Sequence, residues 1–503
     1  MERLAELIQD HPDTDNAIGA PGRDWMTYGD LKILTLTVRQ TLRAAGIGAQ
    51  DRVAIVLPNG PEMAAAFVTV AQSATTAPLN LAYKEDEFAF YLEDLKAKAI
   101  IVETDYDGPA RRVAKRFDMI VIELTENNPA GSFTLSTTAT GSAADTVPGS
   151  DDVALILHTS GTTSRPKIVP LLQSNVAASA VNVRDSLALT KDDCCLNVMP
   201  LFHIHGLIAA VSGSLAAGAS ISCAPGFDTL KFFSWLEEVG PSWYTAVPTM
   251  HQAILARAPR NAAIIENARL RFLRSSSSSL PGPVMTQLAE TFGAPVVEAY
   301  GMTEAAHQMC CNPIEPGRQK PGAVGLPAGP EVRIADEIEN RLINGVGEIS
   351  ISGPNVTPGY EANPEANEKN FFEAEGKRWF RTGDQGEFDE DGFLSLTGRL
   401  KEIINRGGEK ISPLEVDGIL SDHPAVGQCV TFAVPHAKLG EDVGAAVVLK
   451  EGQSATDREI RDFASQRLAA FKVPRKILIL DEIPKGATGK LQRIGLAEKL
   501  GLG

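Results

Sequence analysis

The residues Leu155-Ile-Leu-His158 read as a short buried strand, and they run directly into Thr159-Ser160-Gly161-Thr162-Thr163-Ser164-Arg165-Pro166-Lys167. Five of the first six residues after His158 carry a hydroxyl, and the sixth is Gly161. A polyphosphate needs donors that can come close without added bulk. Hydroxyls and backbone N–H groups around a glycine supply them, and the following Lys167 adds a point charge. Pro166 fixes one φ angle and so limits the freedom of the loop. The pattern is not G-x-x-x-x-G-K-[ST], and no such string occurs in the chain. A plain Ser/Thr linker would not be bracketed by a buried strand and by Pro-Lys-Ile-Val-Pro, so a phosphate-binding loop is expected.

The string His158 to Lys167 resembles the signature loop of the acyl-adenylating superfamily, which includes acyl-CoA synthetases, 4-coumarate–CoA ligases, firefly luciferase and peptide-synthetase adenylation domains. The family usually follows the lysine with Gly, where this chain has Ile168. Further segments match the same family in the same order. Tyr300-Gly301-Met302-Thr303-Glu304 follows an expected strand, Pro295 to Ala299. The resemblance implies that Tyr300 faces adenine, Thr303 meets the α-phosphate and Glu304 ligates Mg²⁺, with Glu298, Ala299 and Gly301 completing the nucleotide site. Arg381-Thr-Gly-Asp384 is similar to the ribose-binding turn, and Arg399 matches a second ribose contact. Lys401 matches the family's hinge. Pro484 to Lys490 is similar to the last signature, Pro-x-x-x-x-Gly-Lys, which makes Lys490 the expected catalytic lysine. A carboxylate and an α-phosphate must meet there, and a mobile cation bridging both offsets charge most in the transition state. Each string alone is weak, since Thr-Gly-Asp is an ordinary turn and a lone lysine is usually solvated. Five in order, from Thr159 to Lys490, span essentially the whole chain.

The acid is addressed by three further segments: Pro200-Leu-Phe-His203-Ile-His205-Gly206, Arg274 followed by Ser275 to Ser279, and His307 three residues after Glu304. Fatty and aryl acids call for apolar walls. A pocket bearing Ser277 and His307 is polar, and a protonated or hydrogen-bonding histidine suits the second carboxylate of a small dicarboxylate. These segments, with Trp243 to Thr249, Ile404 to Pro413 and Leu468 to Pro474, resemble the oxalyl-CoA synthetases within the superfamily. The resemblance implies that Ser277 and His307 hold oxalate, with His203 a further acyl candidate in the gate segment and His205 left to gating or packing. Plant members of that group have Ala at the position of Gly301 and Cys-Ser-Ala at Ser276 to Ser278.

Short β-branched runs must position these residues. Val53 to Leu57, Ala99 to Val102, Met119 to Ile122, Ala219 to Cys223, Trp243 to Val247 and Arg271 to Leu273 read as buried strands, and Pro61 to Gln72 as a helix between two of them. The alternation predicts α/β layers with largely parallel sheets. From Val332 onward, short strands joined by Gly-Pro turns predict a smaller antiparallel sheet. Ser132 to Ser150 reads as a surface loop. Ser412-Pro413-Leu414-Glu415 has a cap, Pro at the first helical position and Glu at the third, and so predicts a helix start with a capping box. We therefore expect a large domain at 1–399 carrying the ATP and acyl sites, and a small α+β domain at 400–503 carrying the lysine.

Composition narrows the classes. The chain has 503 residues, and 47 Lys+Arg against 63 Asp+Glu leave a formal charge of −16, which disfavours non-specific binding to nucleic acid or anionic membrane. The six cysteines form no C-x-x-C pair and suit a reducing compartment. The first residues lack an apolar core, the stretch Leu207 to Pro225 is broken by serines and glycines, and the end is Gly-Leu-Gly, so a cytoplasmic protein without a membrane span is expected. Oligomeric state is not encoded in any of these features.

The reading is an AMP-forming acid–CoA ligase for a small dicarboxylate, oxalate first, using ATP, Mg²⁺ and coenzyme A. The resemblance also implies that the small domain swings about Lys401 and brings Gly407, Gly408 and Lys472 to coenzyme A. Alternatives are a ligase for malonate, a 4-coumarate-type or a medium-chain acid, an enzyme that loads a carrier protein, and a non-catalytic binder.

Overall fold

The computed structural model describes residues 1–159, 166–484 and 491–503. Two large sheets dominate. A seven-stranded sheet has the order Phe133–Ser136, Ile120–Glu126, Ala99–Glu103, Arg52–Val56, Thr75–Pro78, Val153–Thr159, Lys167–Leu172. Its interior pairs are parallel and its two edge pairs antiparallel. The nine-stranded sheet runs Leu326–Pro327, His307–Cys311, Val296–Met302, Phe272–Ser275, Trp243–Ala246, Cys194–Asn197, Ser220–Cys223, Asn16–Ala20, Arg23–Thr27. Its six middle strands are parallel to one another, and the pairs beyond them are antiparallel.

The helix Pro61–Ala71 lies between these sheets and is buried along nearly its whole length. Its Ala-rich sequence explains how it fits: small side chains let both sheets approach one apolar layer, and residues of both sheets join the same cluster. The segment after His205 is also interior. His205–Ser212 forms a π-helix and Gly213–Ala216 an α-helical turn, both buried, followed by the strand Ser220–Cys223. Ile168 stands opposite His158 and packs with Ala54, Val56 and Ile156, so the residue at the family's glycine position fills the core.

The third sheet is antiparallel: Leu342–Ile343, Glu331–Ala335, Gly347–Ser352, Lys377–Phe388 and Phe371–Ala374, with Leu394–Arg399 on Lys377–Phe388. The last sheet contains Glu409–Ile411, Ile404–Arg406, Gly440–Leu449 and Val426–His436, with Lys476–Ile479 added in parallel. It has its own apolar cluster around Ile404, Val416, Leu420, Val443 and Ile460.

Two expectations are corrected. Residues Phe133–Ser136 are not loop. They pair antiparallel with Ile120–Glu126, because Phe133 can bury its ring while the polar neighbours face out. At the helix Pro413–Ser421, the Ser412 hydroxyl accepts from Glu415 N at 3.1 Å, but the reciprocal half of the capping box is missing. The Glu415 carboxylate is taken instead by Lys472, at 2.7 Å to both oxygens.

Candidate active site

The residues expected at the nucleotide gather where the Val296–Met302 strand leaves the nine-stranded sheet and meets the third sheet. Tyr300 is nearly buried, and its hydroxyl donates to Asp384 Oδ2 at 2.6 Å. Arg399 Nε donates to Asp384 Oδ1 at 3.1 Å. Asp384 and Arg399 are opposite each other in adjacent antiparallel strands, so the sheet register itself makes the pair. The Asp384 carboxylate raises the Arg399 pKa. With one donor on each oxygen, Asp384 is held rigid yet keeps lone pairs for two further hydroxyls. The expected Tyr300, Asp384 and Arg399 are therefore in contact.

Glu304 sits in the 3-10 turn Thr303–Ala305 just beyond that strand and is buried. Tyr360 donates its hydroxyl to Glu304 Oε1 at 2.7 Å. Burial pushes the Glu304 pKa up, while the Tyr360 hydrogen bond and the Lys167 charge oppose the rise. Lys167 Nζ lies 4.2 Å from the centroid of the Tyr360 ring, a cation–π contact. Desolvation lowers the Lys167 pKa, Glu304 counters it, and the charge of Lys401 adds to the lowering. Lys167 faces Thr159 across the antiparallel pair that brackets the hydroxyl-rich loop. Ser160, Gly161, Thr162 and Thr163 lie outside the described residues, as does Lys490.

Glu304 is one carboxylate. No group of three or more His, Cys, Asp or Glu side chains gathers among the described residues. That donor set suits Mg²⁺ in the form it usually takes with nucleotides, one or two carboxylates completed by phosphate oxygens and water.

Glu298, the first of the residues expected to complete the nucleotide site, is tied down by a neighbouring loop. It is buried, its Oε1 accepts from Leu280 N at 2.8 Å, and burial pushes its pKa up to about 8. Its side chain thus ties the end of the serine run to the central strand. Ala299 contributes through its carbonyl, which accepts from Ser276 Oγ at 2.8 Å.

The residues expected at the acid form a buried polar cluster on the same sheet. Ser277 adopts φ +72° and His307 φ +99°, left-handed conformations rare for such residues, which turn both side chains out of regular strand geometry. His205 Nδ1 lies 3.0 Å from Ser277 Oγ, and the His205 and His307 ring centroids are 5.3 Å apart. His205 Nε2 meets Thr245 Oγ1 at 2.6 Å and Arg274 Nη1 at 3.2 Å. Arg274 is fully buried and also donates to Gln308 Oε1 at 3.2 Å. The Nδ1 of His307 is buried without a hydrogen-bond partner in the structure. Desolvation first, then the Arg274 and His203 charges, hold the His307 pKa well below its ordinary value. His307 is therefore a neutral hydrogen-bonding group. Of the two expected forms this direction favours the hydrogen-bonding one, with desolvation the larger cause and the neighbouring guanidinium the second.

His205, not His203, is the gate-segment histidine that reaches Ser277; His203 Nδ1 accepts from the backbone N–H of His205. Sequence reading left His205 to gating or packing, named Arg274 only as the residue ahead of the serine run, and gave no role to Thr245, Gln308 or Tyr360. For Arg274 a signal existed: strand alternation puts it on the same face as Phe272, which belongs to the core. Gly301 links the two halves. A Cβ there would stand 1.8 Å from the His307 carbonyl oxygen, so an alanine at this position needs the strand pair to open relative to the spacing seen here.

Gly407 and Gly408, both at positive φ, form the turn between Ile404–Arg406 and Glu409–Ile411. Their N–H groups go to Leu439 O and Asn405 Oδ1. Together with Lys472 on Glu415, these residues make their recorded bonds within the last sheet unit, apart from the nucleotide half.

Two family models match the chain: "AMP-binding enzyme" over residues 4–361 and "AMP-binding enzyme C-terminal domain" over residues 415–490. The oxalate–CoA ligase of Arabidopsis thaliana is 44% identical over 503 residues, covering 98% of this chain and 96% of that protein. The oxalate–CoA ligase of Saccharomyces cerevisiae is 44% identical over 476 residues, with 89% and 87% coverage. The crystal structure of ATP-bound MatB from Rhodopseudomonas palustris superposes with a TM-score of 0.87 at 28% identity, over 99% of this chain and 98% of that one.

Proposed function

Because the chain belongs to the AMP-binding enzyme family, we propose that this AMP-forming acid–CoA ligase takes oxalate as its acid and Mg²⁺ with its ATP, and that it works in the cytoplasm. The acid–CoA ligase activity itself follows from relatives of that activity at 44% identity along nearly the whole chain. The observation that carries the oxalate reading is the buried polar cluster of Ser277, His205, His307 and Arg274, since a site this polar leaves an alkyl or aryl tail facing unmatched hydrogen-bonding groups. The names of the two relatives point the same way. For the compartment, the support is that no described helix is long and apolar enough to cross a membrane, together with six cysteines free of disulfides.

In the first step an acid oxygen attacks the α-phosphorus of ATP, the bond to the β-phosphate bridging oxygen breaks, and acyl-AMP and pyrophosphate result. Tyr300, Asp384 and Arg399 orient the nucleoside, and Asp384 accepts from the ribose hydroxyls. Thr159, Lys167 and the loop between them hold the phosphates. Glu304 would hold Mg²⁺, which when bound neutralises phosphate charge. Lys490 bridges the two reacting anions. In the second step the coenzyme A thiolate attacks the acyl carbon, the C–O bond to AMP breaks, and oxalyl-CoA leaves, the thiol proton having gone to solvent. Large and small domains, divided at 399/400 with Lys401 as hinge, present Lys490 first and Gly407, Gly408 and Lys472 second.

The test is AMP release with ATP, Mg²⁺ and coenzyme A against oxalate, malonate, acetate, octanoate and 4-coumarate. Fast turnover with oxalate alone is expected; a preference for octanoate or 4-coumarate removes the acid assignment. In the same assay format, oxalate-dependent ATP–pyrophosphate exchange should fall by orders of magnitude in Lys490→Ala. Exchange at the wild-type rate would sink the assignment of that residue.

A further inference from the structure

We infer that Arg274 is the specificity-determining charge of the acyl site: a fixed buried cation that selects a doubly charged acid and sets the hydrogen-bond direction through His205 to Ser277. The inference rests on the reading of Ser277 and His307 as acyl-site residues.

A fully buried guanidinium normally has a carboxylate partner, since an isolated charge is costly to bury. Arg274 has no exposed surface, and among the described residues no carboxylate pairs with it. Its hydrogen bonds run to His205 Nε2 at 3.2 Å, Gln308 Oε1 at 3.2 Å and Thr245 Oγ1 at 3.5 Å, all on side chains with no negative charge, and its Nε has no partner. A net positive charge thus stands in a low-dielectric layer next to the two residues expected to meet the acid. There the Coulomb interaction with an arriving anion falls off slowly and is little screened by salt. A second carboxylate on the substrate is the counter-ion this arrangement lacks.

Hydrogen-bond directions give the same result. Arginine can only donate, so His205 Nε2 accepts from Arg274, and the Thr245 hydroxyl 2.6 Å from the same nitrogen donates to it as well. The neutral imidazole then carries its proton on Nδ1 and donates to Ser277 Oγ, 3.0 Å away. With its oxygen occupied as acceptor, the Ser277 hydroxyl has its hydrogen left to give to a carboxylate oxygen. Arg274 is thus a positioning residue as well as a charge: it keeps His205 in the tautomer that makes Ser277 a donor. His307, neutral and with Nδ1 unpartnered, offers a second contact in the same cluster.

The readout is the ratio of kcat/KM for oxalate to that for oxamate, which replaces one carboxylate by an uncharged carboxamide of nearly the same shape. Two variants remove the free charge in different ways. Arg274→Gln deletes it. Gln308→Glu leaves Arg274 in place and sets a carboxylate where Gln308 Oε1 now accepts, so a buried ion pair replaces an unpaired cation. Both variants should lower the ratio at least tenfold, chiefly through the KM for oxalate, with the KM for ATP unchanged. Arg274→Lys should keep most of the preference. If Gln308→Glu binds ATP normally and keeps the wild-type ratio, the inference is overturned, whatever Arg274→Gln does. The two readings fail separately. A wild type that prefers malonate ends the oxalate assignment, and the charge is then read with malonate and its monoamide. A wild type that prefers an acid with an uncharged tail ends the inference itself.

Discussion

Replacing Glu298 by Gln should make the protein more stable at alkaline pH and leave it unchanged at acid pH. Glu298 is buried in the strand that carries Tyr300, and it accepts a hydrogen bond from Leu280 N at 2.8 Å. Burial moves its pKa from the ordinary 4.5 up to about 8, and the single backbone donor offsets only part of the cost. Below pH 4.5 the carboxyl is protonated both folded and unfolded, so the group adds no pH-dependent penalty. Between 4.5 and about 8 the unfolded chain releases the proton and the folded one keeps it, so stability is lost steadily as pH rises. At ~1.4 kcal/mol for each pH unit, the full loss is about 5 kcal/mol once the folded carboxyl has also ionised. A unit of roughly 400 residues with an unfolding entropy of ~2.1 cal/mol/K per residue turns that into about 6 °C. The assay is thermal unfolding of wild type and Glu298→Gln at half-unit steps from pH 5 to pH 9. Gln keeps an acceptor for Leu280 N and has no proton to lose, so the variant should gain on the wild type through this window and then level off. A gap that stays constant from pH 5 to pH 9 would refute the reasoning, since it would mean that Glu298 ionises in the folded protein as easily as in the unfolded chain.

Two further outcomes are expected. Tyr300→Phe removes the 2.6 Å hydrogen bond to Asp384; bonds to a charged partner contribute ~1.5–3 kcal/mol, so the KM for ATP should rise tenfold or more, with the KM for the acid unchanged. Gly301→Ala places a Cβ 1.8 Å from the His307 carbonyl oxygen; in this chain, which keeps Ser276 and Ser278 where the plant members that carry the alanine have Cys and Ala, the shift of more than ~1 Å needed to relieve it should lower kcat/KM for the acid by up to about 100-fold, and wild-type kinetics would show that the strand pair yields without moving His307.

The chain's own pattern announces most of the frame. The expected strands at Val53, Ala99, Trp243 and Val332 are all present within two residues of their expected starts, and the Ser412 cap is formed. Local signals suffice there, because a buried parallel strand is a continuous β-branched run and a helix start is a few residues of chemistry. The errors fall where partners distant in sequence compete for the same groups. Glu415 leaves its own helix start for Lys472, fifty-seven residues on. Phe133–Ser136 becomes a strand because the free edge of Ile120–Glu126 is beside it. Neither choice is visible within a window of ten residues.

The acyl site follows the same rule for a physical reason. The nucleotide half is readable because each of its residues acts through its own chemistry: Asp384 accepts, Arg399 donates, and adjacent strands bring them opposite each other. The acyl half depends on what surrounds a residue rather than on its type. His307 reads as either a cation or a hydrogen-bonding group until desolvation of the ring, and after it the charge of Arg274, lowers its pKa. Arg274 looks like an ordinary strand-end arginine until the fold removes it from water with only uncharged partners. His205 looks like packing until those partners fix which nitrogen carries its proton. Charge, tautomer and donor direction in this cluster are therefore set together by burial, and a substitution at any of them is expected to act on which acid is accepted before it acts on whether ATP is used.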